Sequence, residues 1–438
     1  MTCSPERKRN VLKAEIGLFL ILLAGGLVLI WCMTEGEPQV GDEAVIRVGV
    51  GRDLLAGLPR GRQGLVGSLR WAPLPTLAVL PLLRLPAPFG GDGSPIVVAV
   101  ISAALLCALL SAWLGRCGMG KVLRLTVSLA IFLSPVMQHA LVAGSAGPLF
   151  LLMAVAALCF LLHWWQTGQL RSLAYMALCL SLALIARYQA VALLTMSAVA
   201  VAFHLFAARK PAKHYAEATA IVFLVPSLYV ILLWIASNWL IMGDALFFMR
   251  GLTHVGASLA TLVQGCEWAR VLVLATLVIL PWVVRGRRRV VRTGWSALVI
   301  VGVCVAFGYG PQSASLPMSN LPNTEIAQVT AQLITRHPND WIVYSGYRGY
   351  PLSRALGSET GPYLHHTLSF YTAPVLESTR GKRAYILTRA SDHGGAWEDM
   401  NIKHPGLFEH GASFTVFEAE WDHWRLWRMV RNDPTDRR

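Results

Sequence analysis

Apolar residues in this chain come in long runs, separated by short basic or aromatic stretches. The first covers about residues 15–33, with GLFLILLAGGLVLIWC at its heart. Others follow at about 96–114, 124–142, 146–164, 172–187, 190–207, 217–240, 271–284 and 295–310. Each approaches the ~20 residues that a helix needs to cross a bilayer core. The pattern therefore predicts a mainly α protein, a polytopic transmembrane helical bundle of about nine spans. Very short connections join 124–142 to 146–164 and 172–187 to 190–207, which predicts helical hairpins. PLPTLAVLPLLRLP (73–86) is apolar but too short to span and carries several prolines and Arg84, so it predicts an interfacial or re-entrant helix.

Beyond residue 310 the pattern changes. NTEIAQVTAQLITRH has helical periodicity, with Asn323 as its N-cap. WIVYSG and AYILTR have the look of short buried strands, and TVFEAEW and WRLWRMV of a hairpin closing around Asp422. The expected organisation is a transmembrane domain, 1–310, that includes a first outer loop at 34–95, followed by a small C-terminal α/β extracytoplasmic domain, 311–438.

Composition strengthens the membrane reading. The chain of 438 residues is 55% hydrophobic and 14% charged, against about 25% charged for soluble proteins, and its mean hydropathy is +0.52. The net charge of +14 is placed by the topology, not by nucleic acid. With the N-terminus in the cytoplasm, Arg7/Lys8/Arg9/Lys13, Arg116/Lys121/Arg124, Arg171, Arg209/Lys210/Lys213 and the run RGRRRVVR (285–292) all fall on the inside. The first apolar run is long and no A-x-A-like cleavage site follows it, so a retained anchor is expected rather than a signal peptide. Most of the eight Cys lie in apolar runs or basic segments, and no disulfide framework is indicated.

Candidate chemistry starts at GDEAVIRVGVGRDLLAG (41–57), just beyond the first span, where Glu43 and Arg47 stand at i,i+4. One reading is an interfacial helix whose charges face water. The other is a carboxylate held at the membrane surface as a general base. No H-E-x-x-H, phosphate-binding loop or dinucleotide fingerprint occurs. His365, His366, His393, His404, His410 and His423 are scattered without zinc-ligand spacing.

The order of motifs resembles the GT-C superfamily of membrane glycosyltransferases, which includes aminoarabinose transferases and protein O-mannosyltransferases. The basic N-terminus and single span lead into D-E (42–43), then R-D-L-L-A-G (52–57), then R-W-A-P-L-P-T-L (70–77). IARYQAVALL (185–194) looks like the family's R-Y-x-x-x-L-L turn between paired spans. SNWLIMGDALFFMRG (237–251) looks like its N-W-x-x-F-G-D-P-L-x-F loop, with Ala245 where proline is usual.

The resemblance covers roughly residues 10–310. It implies transfer of a sugar from a polyprenyl-phosphate donor to a lipid, glycan or protein acceptor at the outer face of the inner membrane. Asp42 matches the family's essential carboxylate, with Glu43 orienting it or sharing the role. Arg187, Arg52 and Arg250 become candidates for the donor phosphate, since a guanidinium grips phosphate in two-pronged fashion. Asp53, His139, Tyr188 and Asp244 become candidates for the substrate cavity. Arg187 is equally readable as a snorkelling arginine, and His139 as a helix–helix contact. No cofactor is predicted. Some members of the superfamily use a divalent cation, but nothing in this sequence supports one here. The expected partners are the lipid-linked donor, its acceptor and membrane lipid, with no nucleic acid. A non-catalytic subunit of a polysaccharide assembly or export complex is the alternative. A transporter is disfavoured, because no span carries a central acidic residue.

Overall fold

In a computed structural model, the described residues are 15–28, 41–57, 59–66, 72–85, 91–116, 118–187, 190–207, 213–246, 341–344, 364–366, 384–389, 407–411, 415–421 and 424–429. By contact the chain divides into two units. One is built from Met1–Val40 and Ser68–Gly310, the other from Gly41–Gly67 and Pro311–Arg438.

The first unit is helical. Its elements are α1 (Glu15–Val28), then α4 (Pro73–Leu83), α5 (Ser94–Arg116), α6 (Lys121–Phe132), α7 (Pro135–Val142), α8 (Gly147–Thr167), α9 (Leu170–Leu184), α10 (Ala190–Ala207) and α11 (Lys213–Met242); α2 and α3 belong to the other unit. Among the described residues α5, α8 and α11 are long and apolar enough to cross a membrane, and the bent pair α6–α7 makes a fourth candidate span. The run at 124–142 was expected as one helix. It breaks by 52° because Pro135 has no N–H to continue the ladder. Ser134 caps the new start, accepting from Met137 N at 3.3 Å, and Gln138 Nε2 donates to the freed Phe132 carbonyl at 2.6 Å. These side-chain bonds make a break tolerable in hydrocarbon. The expected spans at 271–284 and 295–310 lie outside the described residues.

Two apolar clusters hold this unit. One gathers α8, α9, α10 and α11 around Trp164, Leu173, Met176, Leu180 and Phe223. The other gathers α1, α5, α6, α7 and α8 around Leu22, Leu106, Leu110, Phe132 and Leu141. Between α5 and α6, Cys107 Sγ donates to the Ser128 carbonyl at 3.4 Å, and Ser128 Oγ donates to the Cys107 carbonyl at 3.2 Å. Such small polar residues let helices approach and join where lipid offers no competing hydrogen bond.

The second unit contains α2 (Asp42–Leu55) and α3 (Pro59–Val66), together with β1 (Trp341–Tyr344), β2 (Leu364–His366), β3 (Ala384–Arg389), α12 (Leu407–His410), β4 (Thr415–Trp421) and β5 (Trp424–Met429). The strands form one sheet in the order β2-β1-β3-β5-β4. The first three are parallel, and the β4–β5 hairpin is antiparallel, with Trp421 opposite Trp424. Trp427 is buried in the sheet and its indole N–H donates to Thr388 Oγ1 at 2.9 Å. The helix expected at 323–337 lies outside the described residues.

Candidate functional site

The acidic stretch forms α2. Gly41 sits at its N-cap in extended backbone and supplies no side-chain cap. Asp42 takes the first helical position. Glu43 and Arg47 form an ion pair one turn apart, and the Arg47 side chain is only 3% exposed. Ala44–Gly51 are all buried, as is Asp53, while Arg52 is half-buried. A helix buried on every side is not a water-facing surface helix, so the interfacial reading with solvated charges fails for Arg47 and Asp53. The packing of α2 on α3 is fixed by Gly61. A Cβ there would lie 2.5 Å from Leu54 N and 3.0 Å from Asp53 Cβ. Asp53 therefore lies where α3 packs closely on α2.

The other candidates fall in the first unit, where three segments converge. The turn after α9 exposes the Ile185 carbonyl, which accepts from Leu74 N at 2.8 Å. This bond ties the P-L-P-T-L segment to the I-A-R-Y turn, more than a hundred residues later in the chain. Arg187 ends that turn, half-buried. Its Nη2 donates to Ser145 Oγ at 3.4 Å, and the same hydroxyl accepts from Gly147 N at 3.0 Å, at the start of α8. A Cβ on Gly147 would stand 3.9 Å from Arg187 Nη2. A guanidinium and the positive end of a 21-residue helix are thus brought side by side. Both attract an anion.

The remaining candidates stand on other elements. His139 lies on α7, exposed, with its carbonyl accepting from Ala143 N. Asp244 follows Gly243 at the end of α11, and its Oδ1 accepts from Leu246 N at 3.1 Å, a local turn. Tyr188 and Arg250 lie outside the described residues. Among the described residues no three His, Cys, Asp or Glu come together as a metal cluster would require. Ser145, beside Arg187, is a candidate that the sequence pattern did not single out. Its only signal was its place in S-A-G-P, directly before an apolar run.

No family model matches the chain, and no curated protein matches it. Solved structures similar to it include two of ArnT. ArnT from Cupriavidus metallidurans bound to undecaprenyl phosphate has 12% identity and a TM-score of 0.47, with 95% of this chain and 98% of that one covered. The apo state of ArnT from the same organism has 10% identity and a TM-score of 0.44, with 93% and 97% covered.

Proposed function

We propose that this chain is an inner-membrane glycosyltransferase that moves a sugar from a polyprenyl-phosphate donor to a lipid, glycan or protein acceptor at the outer face. One observation carries the reading. The P-L-P-T-L segment and the I-A-R-Y turn, quoted separately as motifs, are hydrogen-bonded to each other, and Arg187 stands beside the N-terminus of α8. That is a place suited to a phosphate.

In the proposed reaction the acceptor oxygen or nitrogen attacks the anomeric carbon of the donor. The bond from that carbon to the phosphate oxygen breaks, and its electron pair leaves with the polyprenyl phosphate. Arg187 and the helix end stabilise the charge gathered on that phosphate. The proton lost by the acceptor passes to a carboxylate. Asp42 is the base in this reading, from its place in the D-E motif, and Glu43, which Arg47 engages, orients it or shares the role. A single displacement of this kind inverts the anomeric centre. The N-terminus is cytoplasmic in this reading and residues 311–438 face outward, following the basic residues between spans.

The test is transfer from a polyprenyl-phosphate sugar in membranes, together with complementation of the surface-glycan phenotype of a deletion strain. Asp42→Asn and Glu43→Gln are compared at matched membrane levels. Loss with Asp42→Asn supports the transferase and names the base. Full activity in both variants and in the double variant sinks the mechanism and favours the non-catalytic subunit.

A further inference from the structure

A second charged cluster lies at the other end of the α6–α7 pair from Ser145, and the proposed reaction makes no use of it. Glu15 lies on α1, as its first described residue, and Arg124 sits in the first turn of α6. Arg124 Nη2 donates to Glu15 Oε1 at 2.5 Å and to Ser111 Oγ, near the end of α5, at 3.2 Å. Both charged side chains are mostly buried, 15% exposed for Arg124 and 11% for Glu15. Gly115, also in the last turn of α5, makes the seat: Arg124 Nη1 occupies the space that a Cβ would fill. The electrostatics agree with the placement. A guanidinium stands against the C-terminal turn of α5, where it complements that helix's dipole. Among the described residues, Glu15 Oε2 and Arg124 Nε are buried without a hydrogen-bond partner. One is an acceptor and the other a donor on the same two groups, so a small rotation closes a two-pronged pair.

The rest of the docking surface of α1 is apolar. Leu18, Phe19, Leu22, Leu23 and Leu27 pack on the cluster around α5 and α6. In a bilayer such a stripe has little preference for protein over lipid tails, and leucines alone leave a helix free to slip or turn. We propose that the Glu15–Arg124 pair, seated on Ser111 and Gly115, is a register lock for the first helix. It fixes how α1 docks on α5 and α6. A buried ion pair often adds little net stability over apolar residues of similar volume, and its best-attested use is to specify one register. Removing one partner, by contrast, strands a charge.

The experiment is hydrogen exchange of the full chain in lipid nanodiscs, following peptides from residues 15–28, with thermal midpoints measured in parallel. Glu15→Gln and Arg124→Gln should each lower protection in 15–28 by about tenfold or more. Gly115→Ala should do the same, because its methyl group displaces the guanidinium. In a Glu15→Met/Arg124→Met background no charge is stranded, so the protein should fold, should keep the loss confined to 15–28, and should be indifferent to Gly115→Ala. If the single variants fail to fold, this background carries the test alone. Protection in 15–28 unchanged in the double variant overturns the proposal. So does an equal effect of Gly115→Ala in the parent and in the double variant, which would make Gly115 a packing residue only.

Discussion

Replacing Arg187 by Ala separates a phosphate-binding role from a structural one, because the structure gives very different magnitudes for the two. The guanidinium donates to Ser145 Oγ at 3.4 Å, at the long limit for a hydrogen bond. Losing a bond of this kind costs at most about 0.5–1.5 kcal/mol. The turn itself is held by backbone bonds: Leu74 N to the Ile185 carbonyl, Arg187 N to the Ala183 carbonyl at 2.9 Å, and Ala190 N to the Arg187 carbonyl at 3.0 Å. None of these needs the side chain. Arg187→Ala should therefore fold, with a small change in thermal midpoint. Its effect on chemistry should be larger. A unit charge ~4 Å from a phosphate charge contributes about 4 kcal/mol at the effective dielectric near a protein surface. Removing one stabiliser of a developing anion typically costs ~10²–10³ in rate. The measurement is single-turnover transfer per folded protein in nanodiscs, beside Arg187→Lys, which keeps the charge and loses the fork. An Arg187→Ala protein that transfers within about threefold of the parent would refute the phosphate role and leave a snorkelling arginine.

Three further outcomes follow from packing. Gly61→Ala brings a Cβ against Leu54 N at 2.5 Å; backbone cannot step aside, so the α2–α3 contact should loosen at a cost of about 1–3 kcal/mol, read as a fall in thermal midpoint and loss of transfer. On α1, Gly26→Ala meets Val100 Cγ1 at 2.9 Å and Phe132 Cζ at 3.0 Å, whereas Gly17→Ala meets nothing within 4 Å. The first should destabilise by a similar ~1–3 kcal/mol, and the second should be neutral or stabilising by up to about 1 kcal/mol, a sign difference that thermal unfolding resolves. Trp427→Phe removes the donor to buried Thr388 Oγ1 and should cost the sheet about 1 kcal/mol, seen as faster proteolytic nicking near residues 384–429.

What the sequence revealed and what it hid have separate physical causes. The spans at α5, α8 and α11 were legible because ~20 apolar residues in a row have few alternatives to crossing a bilayer. Their ends were legible only to within a few residues, and the break at Pro135 was passed over because apolar composition continues unbroken through it. The hairpin of β4 and β5 was legible from alternation around Asp422. The burial of α2 was not. Its charges at 42, 43, 47, 52 and 53 suggest a solvated face, and nothing local says that Arg47 and Asp53 are covered or that Gly61 lets α3 lie against them. Arg187 was singled out as a candidate through the I-A-R-Y motif, but the hydroxyl beside it was not, since a lone serine before an apolar run has no periodic signature. The pair of Glu15 and Arg124 is the extreme case. Each looked like a charge at the edge of a span, where charges are common, and 109 residues separate them. Apolar periodicity records which face of a helix avoids water, and in lipid it does not record which neighbour that face meets. The polar contacts that choose the neighbour are few, pairwise and distant in sequence, so in this fold the information least visible in the chain is the information that sets helix against helix.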